Sequence, residues 1–485
     1  MKEWIEDELV TADLGDSRLQ KRMKIILERL VESPMVSIKS AFKGWAEVIA
    51  AYRFINNNQT TVESILKPHQ NATLQRIKEY ERVLMVQDTT ELDYSTKKSL
   101  KGTGPLSSTN RQGFFAHNHL IITPEHLCLG VWHTQIYARN ENEHGKAEQR
   151  KQKPIEEKES YRWLEGYQDA CSLAELVPDT KIISCADREG DIFDIFDEWN
   201  QRRVNDLAVA DWLIRCKHNR NIIDADLKII TDKKIRDLVE TSPTLGTISV
   251  HVKGKEQNKK VKGGSRKKMI RSARVAVLEI KSTKVTPKTP FRKGKKFSEV
   301  SFYVVMAKEK NPPGEEEAIN WVLLTSVDIT DFDSAKEIIE LYRARWEIEV
   351  FHRVLKTGCK VEELQLKSDE PTKVAIALYM IVAWRVLYVM KLGRECPELP
   401  CDIIFEEDEW KSFWTIVYGP EGLEKKPLLG EFVNKVAEYG GFLGRKGDGH
   451  PGPQAIWQGL TRLRDFTIAW QVYVKKEPFI LKPTK

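Results

Sequence analysis

The sequence predicts an α/β protein whose mixed core of strands and helices carries a β-rich insertion and is flanked by helical segments at both ends. Three observations predict this class. Short apolar runs of strand type alternate with amphipathic helices through the middle of the chain. A strongly basic stretch with β-type alternation interrupts that order. The residues up to about 70 and those after 370 show helical periodicity instead.

The first part of the predicted core consists of three strands. Arg82–Thr89 (RVLMVQDT) has the composition of a buried strand and brings Asp88 to its end. Gly113–Thr123 and Leu127–Ala138 then alternate around a Thr-Pro-Glu turn, which predicts an antiparallel hairpin.

The rest of the core, which is predicted to span residues 71–370, alternates between helices and strands. Its elements are a helix over 151–176, a strand at Lys181–Ala186, an acidic helix from Arg188, a strand from Asp211, a strand from Asn320 and a final helix. Three strands followed by alternating helices and strands is the order of an RNase H-like sheet. In that fold, acids at the ends of the first and fourth strands and on a late helix form the active site. Asp187 directly follows the fourth strand.

The late helix, Ile338–Thr357 (IIELYRARWEIEVFHRVLKT), has an unusual polar face. Five side chains fall within roughly 80° of helical arc: Tyr342, Arg345, Glu349, Arg353 and Lys356. One carboxylate among phosphate-seeking cations indicates a site for a metal and a polyanion. The alternative is a solvated helix surface, because Glu349 with Arg345 or Arg353 also has the spacing of ordinary i,i+4 pairs.

The β-rich insertion is predicted over residues of about 246–320. Between residues 253 and 296 it holds seventeen lysines and arginines against only Glu256 and Glu279. Apolar alternation persists through it, so the sequence predicts strands and not a disordered tail. Such charge density is typical of a solvated face, but its position inside this core favours contact with phosphates.

The helical N-terminal segment, residues 1–70, carries basic residues near helix ends. Asp16 is a candidate N-cap for the helix that begins at Ser17, and Arg18 and Arg22 stand in its first turns. Arg53 lies near the end of the next helix. This arrangement suits a module that binds in a DNA groove, although a solvated helical cap has the same composition.

The C-terminal segment, residues 371–485, is predicted to be helical and rich in aromatic residues. Its tryptophans are Trp410, Trp414, Trp457 and Trp470, and their apolar area suits either a dimer interface or the core of their own domain. The apolar run Val374–Met390 is shorter than the ~20 residues of a membrane span. It also contains Arg385, so we interpret it as a buried helix and expect no membrane association.

Composition and length predict the number of domains, the state of the thiols and the compartment. The 485 residues carry a net charge of +6 and seven scattered cysteines, with a length that predicts about three domains. No CxxC pair is present and the N-terminus MKEWIEDELV lacks an apolar signal region. We therefore expect reduced thiols and a cytoplasmic, nucleoid-associated protein.

The three acids Asp88, Asp187 and Glu349 suit hard divalent cations. Carboxylate oxygens are the ligands that Mg²⁺ prefers, and Mn²⁺ can substitute for it. Two ions about 4 Å apart would activate an attacking oxygen and stabilise the leaving oxygen. His117 and His119 share one strand face, but without a third ligand they are interpreted as core histidines or as histidines flanking DNA.

The stretch YRARWEIEVFHRVLK resembles the Tyr-x2-Arg-x3-Glu-x6-Lys motif of the insertion sequence four family of bacterial transposases, which includes the Tn-five transposase. VQDTTELDY and CADREGDIFDIF resemble the family segments that bear the first and second aspartates. The resemblance extends to LGDSRLQKR near the start and GFLGRKGDGHPGPQAIWQG near the end. It implies a cut-and-paste transposase of the DDE type, which acts as a dimer on paired element ends and forms hairpinned DNA ends.

The resemblance also implies roles for single residues. Asp88, Asp187 and Glu349 take the catalytic metal-binding roles. Tyr342, Arg345 and Lys356 take phosphate-contacting roles, and Arg353 joins them on the same helix face. Trp321 matches the tryptophan that stacks on a base flipped from the duplex, and Arg215 and Lys217 match basic positions near the cut end. The glutamate-rich loop NPPGEEEAIN before Trp321 departs from what a DNA-facing segment would carry.

Two other functions fit the same residues. One is a structure-specific nuclease of RNase H-like fold that performs no strand transfer, which the additional terminal segments disfavour. The other is a DNA-binding regulator of transposition without catalysis, which the presence of all three acids disfavours. The leading interpretation predicts that double-stranded DNA, both as terminal inverted repeats and as target, and a second copy of the chain are the partners.

Overall fold

A computed structural model of the chain describes residues 3–32, 38–42, 44–108, 110–140, 154–224, 229–252, 254–261, 264–292, 294–314 and 316–474, without the side chains of residues 40 and 255–270. The described residues form two units. One comprises Met1–Lys146 and Trp346–Lys485, and the other comprises Ala147–Arg345. The structure does not describe residues 151–153, where a helix is predicted to start, or Lys293. It also does not describe the side chains of the eight lysines and arginines between residues 253 and 270.

The first unit begins with helices, as the sequence predicts. They are α1 (Glu3–Leu9), α2 (Ser17–Glu32), α3 (Ile38–Ala41), α4 (Trp45–Ile55) and α5 (Val62–Ile77). Met23, Ile26, Leu27 and Leu30 form the buried face of α2. The predicted cap is present, because the Arg18 amide donates to Asp16 Oδ1 at 2.8 Å.

A buried carboxylate ties α1 to α5. Glu8 is 3% exposed; it contacts the His69 ring, and Arg76 donates to both of its oxygens at 3.0 Å. Burial alone would raise the pKa of Glu8, but the charges and hydrogen bonds of His69 and Arg76 outweigh it and lower the pKa to about 2. The ionised carboxylate is therefore part of the folded structure.

This ion pair predicts an acid-sensitive step in stability. A depressed pKa contributes stability that is present above the ordinary value of 4.5 and is lost as pH falls towards about 2. The contribution of Glu8 at neutral pH is on the order of 3 kcal/mol. Urea unfolding of wild type and Glu8→Gln at several pH values should show a difference that shrinks between pH 4.5 and 2. A difference independent of pH would contradict the assignment.

Four strands follow in the first unit: β1 (Arg82–Asp93), β2 (Gly104–Pro105), β3 (Gln112–Ile122) and β4 (Cys128–Tyr137). β3 pairs antiparallel with β1, β2 and β4, and the predicted hairpin turns at Thr123. The expectation that Asp88 ends its strand is wrong. β1 continues to Asp93, because Leu92 is buried opposite Phe114 and extends the ladder, so Asp88 lies in mid-strand opposite Asn118.

The second unit is an α/β arrangement. Its elements are α6 (Tyr161–Leu176), β5 (Lys181–Ala186), α7 (Phe193–Val204), β6 (Asp211–Arg215), β7 (Asn221–Ile223), β8 (Ile230–Lys234), α8 (Ile235–Thr241), β9 (Thr244–Val252), β10 (Lys255–Val261), β11 (Gly264–Arg271), β12 (Arg274–Val285), β13 (Phe302–Glu309), β14 (Asn320–Thr325) and α9 (Phe332–Ala344). β5 and β6 are parallel. The described part of the predicted helix over 151–176 is helical from Tyr161 only, after a 3-10 turn at Ile155–Glu157.

The strands of the predicted basic insertion are hydrogen-bonded to those of the α/β core. β14 pairs with β6, β13 with β14, β12 with β13 and β9 with β12, all antiparallel. Only β10 and β11 form a separate two-stranded ribbon among the described strands of this stretch. The sheet therefore extends continuously from β5 to β9. The apolar alternation of the insertion reflects the burial of one face of its strands, as in β12.

The glutamate-rich loop before β14 also has a structural explanation. Glu316 accepts a hydrogen bond from the Ser272 amide at 2.9 Å and pairs with Arg274 at 2.5 Å. Arg274 also pairs with Glu309 at 2.8 Å. At least one of the loop's acids therefore holds the loop to the start of β12.

The helix predicted over Ile338–Thr357 is interrupted. α9 ends at Ala344, α10 spans Trp346–Arg353, and a π-helical turn follows at Val354–Gly358. The prediction of one uninterrupted helix is wrong, because the regular hydrogen bonding breaks at Arg345, whose amide bonds to the Tyr342 carbonyl at 3.1 Å. The wider turn at its end places Lys356 differently from the spacing of an ideal helix.

The C-terminal helices of the first unit are α11 (Asp369–Glu395), α12 (Glu407–Tyr418), α13 (Leu429–Tyr439) and α14 (Pro453–Tyr473). In the described part of the chain, α11 alone is long and apolar enough to cross a membrane, but 83% of its most apolar window is buried inside the protein. That burial is typical of a core helix, as the sequence predicts.

Three of the four C-terminal tryptophans are buried in their own unit. Trp410 and Trp414 are each 5% exposed and Trp457 is 2% exposed, while Trp470 is half-buried. Of the two alternatives, a dimer interface and the core of their own unit, the core is therefore the correct one for Trp410, Trp414 and Trp457. Trp457 lies against the π-helical turn, where a β-carbon added to Gly358 would come within 2.8 Å of its ring.

Candidate active site

The first group of site residues combines two predicted acids with a histidine. Asp88 on β1 and Glu349 and His352 on α10 each offer a ligand atom, and these atoms lie within 4.8 Å of one another. Glu349 and His352 are one helical turn apart and so share a face of α10. Two carboxylates and an imidazole are a donor set that fits a divalent cation.

Side chains from neighbouring strands orient His352. Asn118 lies opposite Asp88 on β3, and Thr134 lies opposite Asn118 on β4. The Thr134 hydroxyl donates to Asn118 Oδ1 at 2.8 Å, and Asn118 Nδ2 lies 2.9 Å from His352 Nε2. Because Thr134 uses the amide oxygen, the amide nitrogen donates to His352 Nε2, and the neutral ring carries its proton on Nδ1. Ligation of a metal through Nδ1 requires the opposite tautomer, in which Nε2–H donates to the amide oxygen. Asn118, His352 and Thr134 are all buried, so this chain fixes the ring beside the two acids.

Loss of this orientation should weaken metal binding. Asn118→Leu keeps the volume of the side chain but removes both hydrogen bonds, and outer-shell losses of this kind typically cost about 10–100-fold in metal affinity. Titration of the protein with Mn²⁺, followed by electron paramagnetic resonance, measures the affinity without DNA. Asn71→Leu, at a surface asparagine that bonds Thr11 at 3.0 Å, is a matched control. Equal Mn²⁺ affinity in both variants would contradict the role of Asn118.

The predicted cations of the same helix differ in their surroundings. Lys356, in the π-helical turn, donates to the Glu91 carbonyl at 2.8 Å and lies 3.6 Å from Glu362. It is therefore held beside β1, three residues beyond Asp88. Arg353 is exposed at the end of α10.

The second group of site residues belongs to the second unit. Asp187 follows β5 directly and caps a 3-10 turn by accepting the Glu189 amide at 2.7 Å. The charges that act on Arg215 at the end of β6 include those of Arg188, Arg345 and Asp187. Burial lowers the pKa of the Arg215 guanidinium, which remains a cation at neutral pH.

Tyr342 lies among the same charges. Burial raises the pKa of its hydroxyl, so the side chain is neutral. Arg345 stands over its ring with 5.9 Å between the guanidinium carbon and the ring centroid. A neutral hydroxyl and a fixed guanidinium are both hydrogen-bond donors, which suits contact with a phosphate.

Trp321 borders a pocket of about 390 Å³ whose lining contains more basic than acidic residues. The lining includes Arg188, Arg215 and Arg271, together with residues 316–320, of which Glu316 and Glu317 are acidic. Unlike Trp212 and Trp163, which are at most 1% exposed, Trp321 is only half-buried on β14. Trp321 is therefore less buried than the core tryptophans of the same unit.

The remaining predicted contacts lie outside these two groups. Arg18 is exposed and pairs with Asp16 at 2.7 Å, Arg22 is half-buried, and Arg53 is exposed. Lys217 is exposed, and its amide donates to Asp191 at 2.7 Å.

The histidines considered at the sequence level lie in the core. His117 and His119 are 1% and 2% exposed on β3, on the face opposite Asn118, and His117 Nδ1 lies 2.9 Å from Thr89 Oγ1. The group beside the acids is instead His352, which the sequence reasoning missed. The i,i+3 spacing of His352 from Glu349 could have indicated its position in the site. The role of Asn118 could not be predicted from the sequence, because it depends on the register of β1 and β3.

Three family models match the chain. Residues 1–60 match the transposase DNA-binding domain, residues 200–385 match the transposase DDE domain, and residues 381–475 match the Tn5 transposase dimerisation domain. Glu349 lies within the DDE match, and Asp88 and Asp187 precede it. The protein is thus a DDE transposase, a metal-dependent enzyme that cleaves and joins DNA. It belongs to the Tn5-like transposases of the insertion sequence four family. DNA and a second copy of the chain are its partners.

Proposed function

We propose that this transposase binds the terminal inverted repeats of its element, excises the element through hairpinned ends and joins it to target DNA. The observation that carries the proposal is the proximity of Asp88, Glu349 and His352 in a chain that matches the transposase models. Asp88, Asp187 and Glu349 would hold two Mg²⁺ ions, for which Mn²⁺ can substitute. The ions would supply an activated attacking oxygen and stabilise the leaving oxygen.

The protein's own side chains would position the DNA. Tyr342, Arg345, Arg353 and Lys356 donate to phosphates beside the cut, and Arg215 and Lys217 bind the strand near it. Lys356 suits this role because its contacts with Glu91 and Glu362 fix the ammonium group near β1. In the N-terminal helices, Arg18, Arg22 and Arg53 bind the repeat farther from the cut.

The test of the proposed function is a time course on a labelled duplex that carries the element end and its flanking DNA. With Mg²⁺ the wild-type enzyme should produce a nick, then a hairpin, then a released end, and it should join that end to a plasmid. Native gels should show a complex of two ends. Cleavage without joining would support a nuclease, and binding without cleavage would support a regulator.

Trp321 provides a prediction specific to hairpin formation. A base flipped from the bent duplex would stack on this half-buried ring, and stacking is worth about 1–3 kcal/mol per base. Trp321→Ala should leave the first nick nearly unchanged and slow hairpin closure by roughly ten-fold or more, while Trp321→Phe should recover part of the rate. The same time course separates the steps. Equal slowing of nick and hairpin with a lowered melting temperature would assign Trp321 to the core instead.

A further inference from the structure

The second unit carries an exposed phenylalanine in a basic loop that the proposed chemistry does not use. Phe291 is 97% exposed, the most exposed large apolar side chain in the described part of the chain. It borders an open groove of about 810 Å³ whose lining includes Arg220, Lys288, Lys295 and Lys296. A bare aromatic ring among cations requires an explanation, because water is an unfavourable environment for it.

The loop is firmly held at both ends. Arg292, the neighbour of Phe291, donates to both oxygens of Asp194 at 2.5 and 2.9 Å, and Lys295 contacts the same carboxylate at 3.0 Å. The Asp194 side chain is fully buried. On the other side, the Lys288 amide donates to the Asn221 carbonyl at 2.7 Å. Phe291 is therefore presented on a fixed base, which reduces the ordering cost of binding a partner.

The turn after Phe291 is tight. Arg292 and Lys295 form a β-bridge, and Gly294 between them has a φ of 80°, a conformation that glycine adopts without strain. Phe297 then returns to the interior, where it packs on Phe193 at 5.1 Å between ring centroids. Phe291 thus projects from a compact support and not from a long free loop.

The charges of this surface indicate a nucleic acid and not a protein. Asp191 and Asp194 engage Arg220, Arg292 and Lys295, whereas Lys288 and Lys296 are exposed. Phenylalanine is enriched at protein interfaces but lysine is depleted there, whereas clustered lysines and arginines are the electrostatic footprint of nucleic-acid-binding surfaces. Proteins that bend DNA insert apolar side chains such as phenylalanine between base pairs from the minor groove.

The position of the groove along the chain indicates that it binds DNA at the element end. Arg220 in its wall is bound by Asp191 at 2.6 Å, and the same carboxylate accepts the amides of Lys217 and His218. Asp191 is four residues beyond Asp187, a reach of at most about 14 Å. That length corresponds to roughly four base pairs of duplex. DNA held at Asp187 would therefore reach Asp191, which holds the groove residue Arg220, within one helical turn.

From these observations we infer that Phe291 is a wedge that inserts into the element-end duplex close to the cleavage site, while Lys288 and Lys296 bind the flanking phosphates. The inference rests on the proposed binding of element ends. The wedge unstacks one base step and bends the duplex, and the cations compensate for the repulsion between phosphates that the bend brings together.

The test uses the full-length protein and end duplexes that carry 2-aminopurine singly at each position around the cut. Wild-type protein should raise the fluorescence at one step, because the fluorophore brightens when it is unstacked. Phe291→Ala should abolish that rise and weaken end binding about ten-fold, and Phe291→Leu should keep part of both. The rise should persist in Trp321→Ala. Val204→Ala, at a residue 72% exposed on the same unit, is the control and should change nothing.

Salt dependence separates the wedge from the cations. Lys288→Ala and Lys296→Ala should each reduce the slope of log affinity against log salt by about one and keep the fluorescence rise, whereas Phe291→Ala should leave the slope unchanged. Wild-type binding and fluorescence that Phe291→Ala does not alter would overturn the wedge alone. An equal rise on an unrelated duplex, or a changed oligomeric state of Phe291→Ala without DNA, would also overturn it. Failure of the wild type to bind end duplexes would instead overturn the proposed function.

Discussion

Glu349→Gln and Asp88→Asn will each abolish DNA cleavage and leave binding to end DNA unchanged. Each substitution keeps the size of the side chain and removes the charge that attracts a divalent cation into the group formed with His352. A metal ion contributes several kcal/mol to the transition state, so the rate of the first nick should fall by at least about 10³-fold. Asp187→Asn should behave in the same way. The nick is measured with Mg²⁺, and binding is measured by gel shift without metal.

The control for this series is Glu340→Gln. Glu340 lies on α9 and is 43% exposed in its pair with Arg343, so its loss removes a helical carboxylate that faces solvent. It should cleave at the wild-type rate. An acid variant that still nicks end DNA at the normal rate would remove that acid from the active site.

Trp457→Ala will destabilise the first unit more than any substitution at an exposed tryptophan. Its ring is 2% exposed and fills the space above Gly358, and truncation of a buried tryptophan typically costs about 3–5 kcal/mol. Gly358→Ala should destabilise as well, because the added carbon would lie 2.8 Å from the ring. Calorimetry should show the transition of this unit lowered by on the order of 10 °C.

The matched control is Trp470→Ala on the same helix, α14, where the ring is only half-buried. Trp470→Ala should lower the melting temperature of the first unit much less than Trp457→Ala does. Removal of the residues after Gly449 deletes α14 and should therefore destabilise the protomer, not merely prevent pairing of ends. A truncated protein with a wild-type melting transition would show that α14 does not contribute to the core.

Much of the fold follows from local pattern. The alternation around Thr123 and the apolar run before Asp187 predict β3, β4 and β5 because strand period and turn chemistry are local properties. The motif from Tyr342 to Lys356 likewise predicts Glu349, which lies beside Asp88 in the structure. The local sequence pattern does not show at which residue two strands stop pairing. It therefore predicts that β1 ends at Thr89, whereas the strand continues to Asp93.

Other features depend on contacts between distant segments. The orientation of His352 by Asn118 requires both the strand register and the approach of α10. The pairing of Glu316 with Arg274 gives a role to an acidic loop that the sequence left unexplained. The burial of Trp457 shows that large apolar area alone does not distinguish a protomer's own core from an interface.

The first unit is assembled from the two ends of the chain, Met1–Lys146 and Trp346–Lys485, and this has a consequence during synthesis. A ribosome adds about 5–20 residues per second. Asp88 is therefore synthesised on the order of tens of seconds before Glu349, and Trp457, which packs on the π-helical turn, is synthesised later still. A nascent or prematurely terminated chain that lacks Glu349 therefore has no complete cutting centre. Only chains translated beyond Glu349 and Trp457 contain all the residues that form and support this centre.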